Sequence, residues 1–397
     1  MTIGQMSKQL LALSALIIGV AQAGDSPQFR GPDRNGIYTD AATEPVFARG
    51  GPEKAWEANI GKGFSSITVA DGRVYSMGND GRADTIYCFE LATGKSIWTH
   101  TYDCGNAGGY PGPRSTPTVY EGKVYTFSRE AHAICLDAKS GDVLWERQLS
   151  TGNQSPQWGY SGAPLIIDDM VIYNAGTAGV ALKRDSGQEA WHSPKGRSGY
   201  ASPYRCTLDG QDTVLIFSAD GLKAVAPDSG RKLWDVQWKT SYDVNAADPV
   251  VVGNRVFISS NYNRGCALFE VKANRPTKIY ENKNMRNHFS TSVYVDGMLF
   301  GNDEGSLVCH DFATGEQKWS RKGLGRGGSL ILVNGKLMVL YDKGQLETIE
   351  PSGDGHKPLA RGQILGDQCW TVPTVSDGYL LARNNNRGDI VAVKIGK

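Results

Sequence analysis

The sequence is short of most features that announce a chemistry. Its 397 residues carry 42 Lys+Arg against 41 Asp+Glu, so neither sign of charge dominates. No basic face is visible, and nucleic acid is excluded as an expected partner. No two of the seven cysteines are adjacent and no C-x-x-C-H occurs, which rules out a vicinal disulfide and covalent haem. Neither an H-x-x-H pair nor a Ser–His–Asp spacing is present. Only the N-terminus carries a long apolar run, so no transmembrane segment is expected. No Cys follows that run, so a lipid anchor of the bacterial lipoprotein type is not indicated.

The N-terminal run reads as a leader. Lys8 supplies a positive start, Leu10 to Val20 a short apolar stretch, and Ala21-Gln22-Ala23 a small-x-small cleavage pattern. Residues 1–23 are expected to be a signal peptide cleaved near Ala23, giving a periplasmic or secreted protein that begins near Gly24. In such a compartment seven cysteines leave at least one unpaired. Cys88, Cys135 and Cys309 each stand six residues before a Gly (94, 141, 315), where other copies of the same pattern carry Ala181 and Ala224. A position that takes Cys or Ala is a tight, buried one. Packed sheets lie about 10 Å apart, too far for a disulfide. Cys104, Cys206, Cys266 and Cys369 fall outside the pattern and cannot be paired from sequence.

What is abundant is repetition. "AICLDAKSGDVLW" (133–145) returns as "IYCFELATGKSIW" (86–98) and "SLVCHDFATGEQKW" (306–319), and more loosely at 180–191 and 222–234. In each, a turn acid offers hydrogen bonds to turn amides and a Gly supplies positive φ. Four residues beyond each Gly stands a Trp: 98, 145, 191, 234 and 319. The spacings are 47, 46 and 43 residues and then 85, two periods, with one Trp lost in "CALFEVKANRPTKIYENK" (266–283). Trp56 precedes Trp98 by 42, and 344–360 is the most drifted copy.

A second element precedes each unit: a small or polar start, an apolar strand, a tight turn and another apolar strand, beginning near 65, 115, 161, 201, 246, 290, 327 and 369. Eight units of about four strands predict an all-β, eight-bladed propeller of four-stranded blades over 51–397, after an N-terminal extension at 24–50. The last unit stops at its third strand, "DIVAVKI" (389–395), and "EKAWEANI" (53–60) is a Trp strand with no blade before it. Joined, they close the ring and remove both sheet edges. Seven blades follows instead if the fifth and seventh copies are incomplete.

The unit "CLDAKSGDVLW" resembles the repeat of pyrroloquinoline-quinone (PQQ)-like propellers, the superfamily of quinoprotein alcohol dehydrogenases and of the BamB-like propeller of the outer-membrane assembly machinery. "SPQFRGPDRNG" (26–36), "GPRSTPTV" (112–119), "YDVNAADPVVVGNRVF" (242–257) and "NKNMRNHFSTSV" (282–293) are similar to an exported subgroup common in planctomycete-type bacteria. The resemblance implies three functions: a non-catalytic binding or scaffold protein with an envelope protein or polymer partner, a PQQ-dependent alcohol (polyvinyl-alcohol-type) dehydrogenase, or a binder of carbohydrate or another small molecule. The enzyme would need PQQ with Ca²⁺ and an acidic base. It would have to work without the dehydrogenases' vicinal disulfide.

In a propeller the starts of the inner strands converge at one face. Here they carry Phe64, Arg114, Trp158 with Tyr160, Tyr200, Asp243 with Asn245, Asn287 with His288, Arg326 and Trp370. Aromatic faces, two cations and amides suit a flat or anionic ligand; the plain alternative is that the aromatics fill the channel. Asp243, Asn245 and Asp248 offer hard oxygens for a metal, with Asp243 the candidate base; the plain alternative is turn capping. The tripeptide Arg387-Gly388-Asp389 falls at a strand-to-strand turn and reads as turn chemistry.

Overall fold

The computed structural model describes residues 24–104, 110–150 and 154–396. The expected leader at 1–23 lies outside them. Among the described residues thirty-three strands make eight sheets, with one three-residue helical turn outside them. Blade 1 runs Thr68–Ala70, Arg73–Asn79, Ala83–Glu90 and Ser96–Asp103 from the axis outward. Blades 2 to 7 follow at 118–148, 165–192, 204–237, 250–282, 293–322 and 329–363. Blade 8 takes Thr374–Ser376, Tyr379–Arg383 and Asp389–Lys394 from the C-terminus and Glu53–Asn59 as its outer strand. The fifth and seventh copies are complete blades, so the seven-bladed alternative is overturned.

Local chemistry explains each hairpin. Asp71-Gly72, Asp296-Gly297, Asn334-Gly335 and Asp377-Gly378 turn the inner hairpins with φ of both residues between 46° and 83°. These are the paired positive dihedrals of a two-residue turn matched to strand twist. In the outer hairpins Asp137 accepts the amides of Lys139 and Ser140 at 2.8 and 2.9 Å, and Gly141 N donates to Asp137 O at 2.9 Å. Hydrogen bonds from Ser140 and Lys139 amides hold the Asp137 carboxyl below its usual range.

The conserved-looking Gly–Trp spacing has a second cause that sequence reading left out. Four indoles, those of Trp56, Trp98, Trp145 and Trp191, leave their own blade and lie on the turn Gly of the next. A Cβ on Gly94 would stand 2.5 Å from the Trp56 ring, on Gly141 2.7 Å from Trp98, on Gly187 2.6 Å from Trp145 and on Gly230 2.4 Å from Trp191. The indole N–H then donates to a carbonyl of that same turn: Trp56 to Leu91 (2.7 Å), Trp98 to Ala138 (3.1 Å), Trp145 to Arg184 (2.8 Å), Trp191 to Pro227 (2.9 Å) and Trp319 to Ser352 (2.8 Å). The strand register shifts by a bulge or irregularity beside every such position. Blade 5 substitutes Tyr280, whose hydroxyl donates to Phe312 O at 3.1 Å over Gly315. Blade 5 also turns on Ala273-Asn274 instead of a Gly, and Trp234, which faces it, has a buried N–H with no partner. Behind the indoles, Cys88, Cys135 and Cys309 stand opposite Trp98, Trp145 and Trp319. All seven cysteines are free. Burial pushes the thiols of Cys88, Cys135 and Cys309 up to about 11, 12 and 12, as inert packing residues.

The extension does more than lead into the ring. Ser26 bridges Val69 in blade 1, and Val119 N in blade 2 donates to Pro27 O at 2.7 Å. Ile37–Tyr38 adds a parallel strand to the inner edge of blade 7. Arg34 donates to the carbonyls of Pro164 and Ala163 beside blade 3, and Arg30 to Ser292 O beside blade 6. Asp40 accepts Gly378 N, at the turn that ends the inner hairpin of blade 8. The segment therefore plugs the central channel from the face where the inner strands end.

Two glycines separate dihedral strain from indole contact. Gly230 (φ 66°) and Gly210 (φ 77°) share the left-handed region, yet only Gly230 has a ring against it. Gly210→Ala should cost about 1 kcal/mol and Gly230→Ala about 2–4 kcal/mol. Melting temperatures of the two variants should differ in that order.

Candidate functional site

The plugged channel is a cup with a volume of about 190 Å³, open at the face where the inner strands start. Phe29 of the plug forms part of its floor. Each blade sends two connections to this mouth: the link entering its inner strand and the hairpin between its second and third strands. Seven of the residues expected from the strand starts line the cup: Phe64, Arg114, Trp158, Tyr200, His288, Arg326 and Trp370.

The rings form an almost continuous horseshoe. From Tyr110 and Phe64 it passes to Trp370 (6.2 Å), Phe289 (5.0 Å, stacked) and His288 (3.7 Å, stacked). It continues through Tyr262 (5.2 Å), Tyr242 (5.4 Å) and Trp158 (5.9 Å) to Tyr200 (6.0 Å). Arg114 sits over Phe64, 5.4 Å from the ring centre. Its guanidinium donates to the carbonyls of Tyr110 (2.7 Å) and Gly112 (3.0 Å). Neither Arg114 nor Arg326 has a carboxylate partner among the described residues. Burial, with Arg129 nearby, pushes Arg114 down to about 10, so it remains a cation at neutral pH. Burial and Arg326 push His288 down to about 4, so its ring is neutral there.

Side-chain amides fix the rim. Asn302 donates to the carbonyls of Gly325 and Gly328, both at 2.8 Å, and holds the loop that carries Arg326. Asn385 accepts Trp370 N at 2.6 Å and donates to Gly63 O at 2.9 Å, tying blades 8 and 1 together. Consecutive left-handed residues, Tyr242 (φ 61°) and Asp243 (φ 58°), hold the Tyr242 ring out at the rim, 59% exposed. Such strain in a bulky residue is retained only where the surroundings enforce it.

Other expected site residues serve the scaffold. Tyr160 is fully buried between blades 2 and 3, 5.3 Å from Phe127. The expectation that it faces the ligand is corrected: the chain turns at Gly159 (φ 81°), and Tyr160 N donates to Arg129 O at 2.9 Å, so Tyr160 packs inward while Trp158 stays at the mouth. Asn245 donates to the carbonyls of Ser218 and Trp238 and accepts the Ser260 hydroxyl, leaving nothing for a ligand. Asn287 is likewise taken up by Asn302 O and the Ser292 hydroxyl. Asp243 is paired with Arg197 at 2.8 Å. Asp248 lies on the cup wall, buried, and is the carboxylate that offsets the two buried plug cations, Arg30 and Arg34.

Asp243, Asn245 and Asp248 therefore do not form the oxygen cluster that Ca²⁺ with PQQ would need. Among the described residues no three His, Cys, Asp or Glu side chains stand close enough to hold a metal. Two cations already face Asp248, and Asp243 is engaged by a third. The residues present do not fit that cofactor's metal site, and no step is derived through it.

Tyr110, Tyr242, Tyr262 and Phe289 were not among the expected binding residues. Tyr262 sits in the second hairpin of blade 5, so counting both loops of each blade would have found it. Tyr242 stands beside Asp243 in a stretch read for its oxygens alone. The tripeptide Arg387-Gly388-Asp389 is a turn held by Asp389 on Asn384 and Asn59.

The ring, the Trp-on-Gly seams and the closing strand define one class, the eight-bladed propeller of PQQ-like repeats. Residues 82–321 match the family described as outer membrane protein assembly factor BamB, and the chain belongs to it. The BamB of Xanthomonas campestris pv. campestris is 26% identical over 350 residues, covering 74% of this chain and 84% of its own. The crystal structure of BamB from Moraxella catarrhalis superposes with a TM-score of 0.66 at 17% identity, over 87% of this chain and all of that one. The quinohemoprotein alcohol dehydrogenase of Comamonas testosteroni shares the fold, with a TM-score of 0.67 at 13% identity, over 95% of this chain and 82% of its own. No helix among the described residues is long and apolar enough to cross a membrane.

Two outcomes test the charges. Asp248→Asn leaves two buried guanidinium groups without a counter-charge, which should cost about 3–5 kcal/mol. Trypsin should then cut at Arg30 or Arg34 in the native variant but not in the parent. Burial also holds His310 at about 4. Both His288 and His310 bind protons more readily unfolded than folded, so stability present at pH 7 should fall as pH drops from about 6.5 toward 4, by at most about 3 kcal/mol per residue. Melting temperature across that window should fall less steeply in His288→Gln/His310→Gln.

Proposed function

We propose that the protein is an exported, periplasmic or secreted scaffold that binds an envelope protein or polymer at the aromatic mouth, without catalysing a reaction. The observation that carries this reading is the rim itself: nine rings and two arginines that have no carboxylate partner among the described residues. The one carboxylate on the wall, Asp248, is committed to the plug. Binding sites are built this way, from aromatic anchors with a few convergent polar groups. Membership of the BamB family supports an assembly-factor-like role, since the relatives are outer membrane assembly factors by name. The dehydrogenase reading has the likeness to quinohemoprotein structures in its favour, and that likeness is one of fold.

Cross-linking the full mature chain in an envelope extract should capture a partner that is lost with Trp158→Ala/Tyr262→Ala. Both residues line the mouth, and neither supplies a seam between blades. The purified protein with added PQQ and Ca²⁺ should show no dye-linked alcohol oxidation and no rise in melting temperature. Dye reduction that saturates with alcohol would establish the dehydrogenase instead.

A further inference from the structure

Around the ring, four consecutive strand starts make one arc: Arg326 on blade 7, Trp370 on blade 8, Phe64 on blade 1 and Arg114 on blade 2. The two aromatic residues are neighbours, 6.2 Å apart and tilted by 41°. The two arginines flank them. Arg114 is oriented by two carbonyls, which consume none of its charge. Arg326 is exposed and its loop is pinned through Asn302. On the remaining rim, Tyr110, Tyr242 and Tyr262 are at least 36% exposed.

Neighbouring rings around the mouth are inclined to one another, from 21° between His288 and Phe289 to 86° between Tyr262 and His288, with 41° between Phe64 and Trp370. They form a bowl that offers single faces. A planar aromatic ligand gains most from two parallel walls. A puckered pyranose gains from one aromatic face under its C–H groups, with its hydroxyls turned toward polar partners such as tyrosines. Guanidinium groups that lack a carboxylate pair best with one, in a planar two-point contact. Two such groups flanking one stacking platform match an acid that repeats along a chain.

We propose that this arc binds a carboxylated polysaccharide, with sugar rings stacked on Trp370 and Phe64 and uronate carboxylates on Arg114 and Arg326. The inference rests on the reading of the mouth as the binding surface, and it names the polymer class that the surface takes.

A galacturonate trimer, its methyl-esterified form and a neutral glucose trimer serve as probes, with tryptophan fluorescence and calorimetry on the full mature chain as readouts. The acidic trimer should bind and shift the emission. The esterified and neutral trimers should bind at least tenfold more weakly, as should the acidic trimer to Arg114→Ala/Arg326→Ala. Melting curves should show that variant folded, since neither arginine lies in a seam. Trp370→Phe keeps a ring and should retain binding that Trp370→Ala loses. Absence of binding by the acidic trimer overturns the inference, and so does equal affinity for charged and esterified forms. An aromatic dicarboxylate that binds in an arginine-dependent way while the saccharide does not would overturn the sugar class and leave the mouth as the binding surface. If the saccharide binds but no mouth variant weakens it, both this inference and the placement of the site fall.

Discussion

The structure depends on one contact made repeatedly: an indole of one blade lying on the turn glycine of the next. Its partners are separated by about one period of sequence and by one step of the ring, so where both are present a copy of the repeat fixes its successor: Trp56, Trp98, Trp145 and Trp191 do this, and Tyr280 does it over Gly315. Three demands meet at that Gly. The turn needs positive φ, the ring needs a surface without a Cβ, and the indole N–H needs a carbonyl presented by the turn. No other residue meets the first two, which is why the Gly and the Trp travel together. Where one partner is missing the consequence is visible. Trp234 faces a turn without Gly and its N–H has no acceptor.

Those seams leave a ring with a hole through it, and the extension turns the hole into a cup. Its two arginines enter an apolar channel, where an unpaired cation is costly, and the carboxylate of Asp248 offsets them. A residue on the wall of the cup is thereby committed to the scaffold. Among the described residues, Arg114 and Arg326 at the mouth have no carboxylate partner. A carboxylate is set against the cations of the floor, and none is set against these two at the rim.

The ring was legible in the sequence because it is written many times over. Period, turn residues and the split last blade each mark the same boundaries, and even blade 5 keeps its register through Tyr280. Of the site, the part carried by strand starts was legible, since a shared position in every blade converges on the axis. Tyr160, Asn245 and Asn287 were misplaced because local turns at the strand starts decide which side chain meets the mouth: Gly159 (φ 81°) turns Tyr160 inward, the left-handed pair at 242–243 precedes Asn245, and Asn287 is directly beside His288. That choice depends on which backbone carbonyls lie nearby. Arg30 and Arg34 were quoted as part of a motif with no structural role assigned, because a plug crosses blades far apart in sequence and leaves no period. The dock itself was half legible: the constant offset of Trp from Gly was plain, the identity of the facing blade was not.

The closing blade sets an order of events for a chain that is made from one end. Residues 53–59 are among the first of the ring to be synthesised, yet their partner, 389–394, is among the last. Between those moments the Trp56 strand is an open edge with an apolar face, able to pair with any other extended chain. The plug has the same difficulty, since Ile37–Tyr38 must wait for the strand at 329–333. The ring therefore cannot be sealed gradually. The strand at 53–59 finds its partner only when 389–394 is present, across a loop that spans nearly the whole ring.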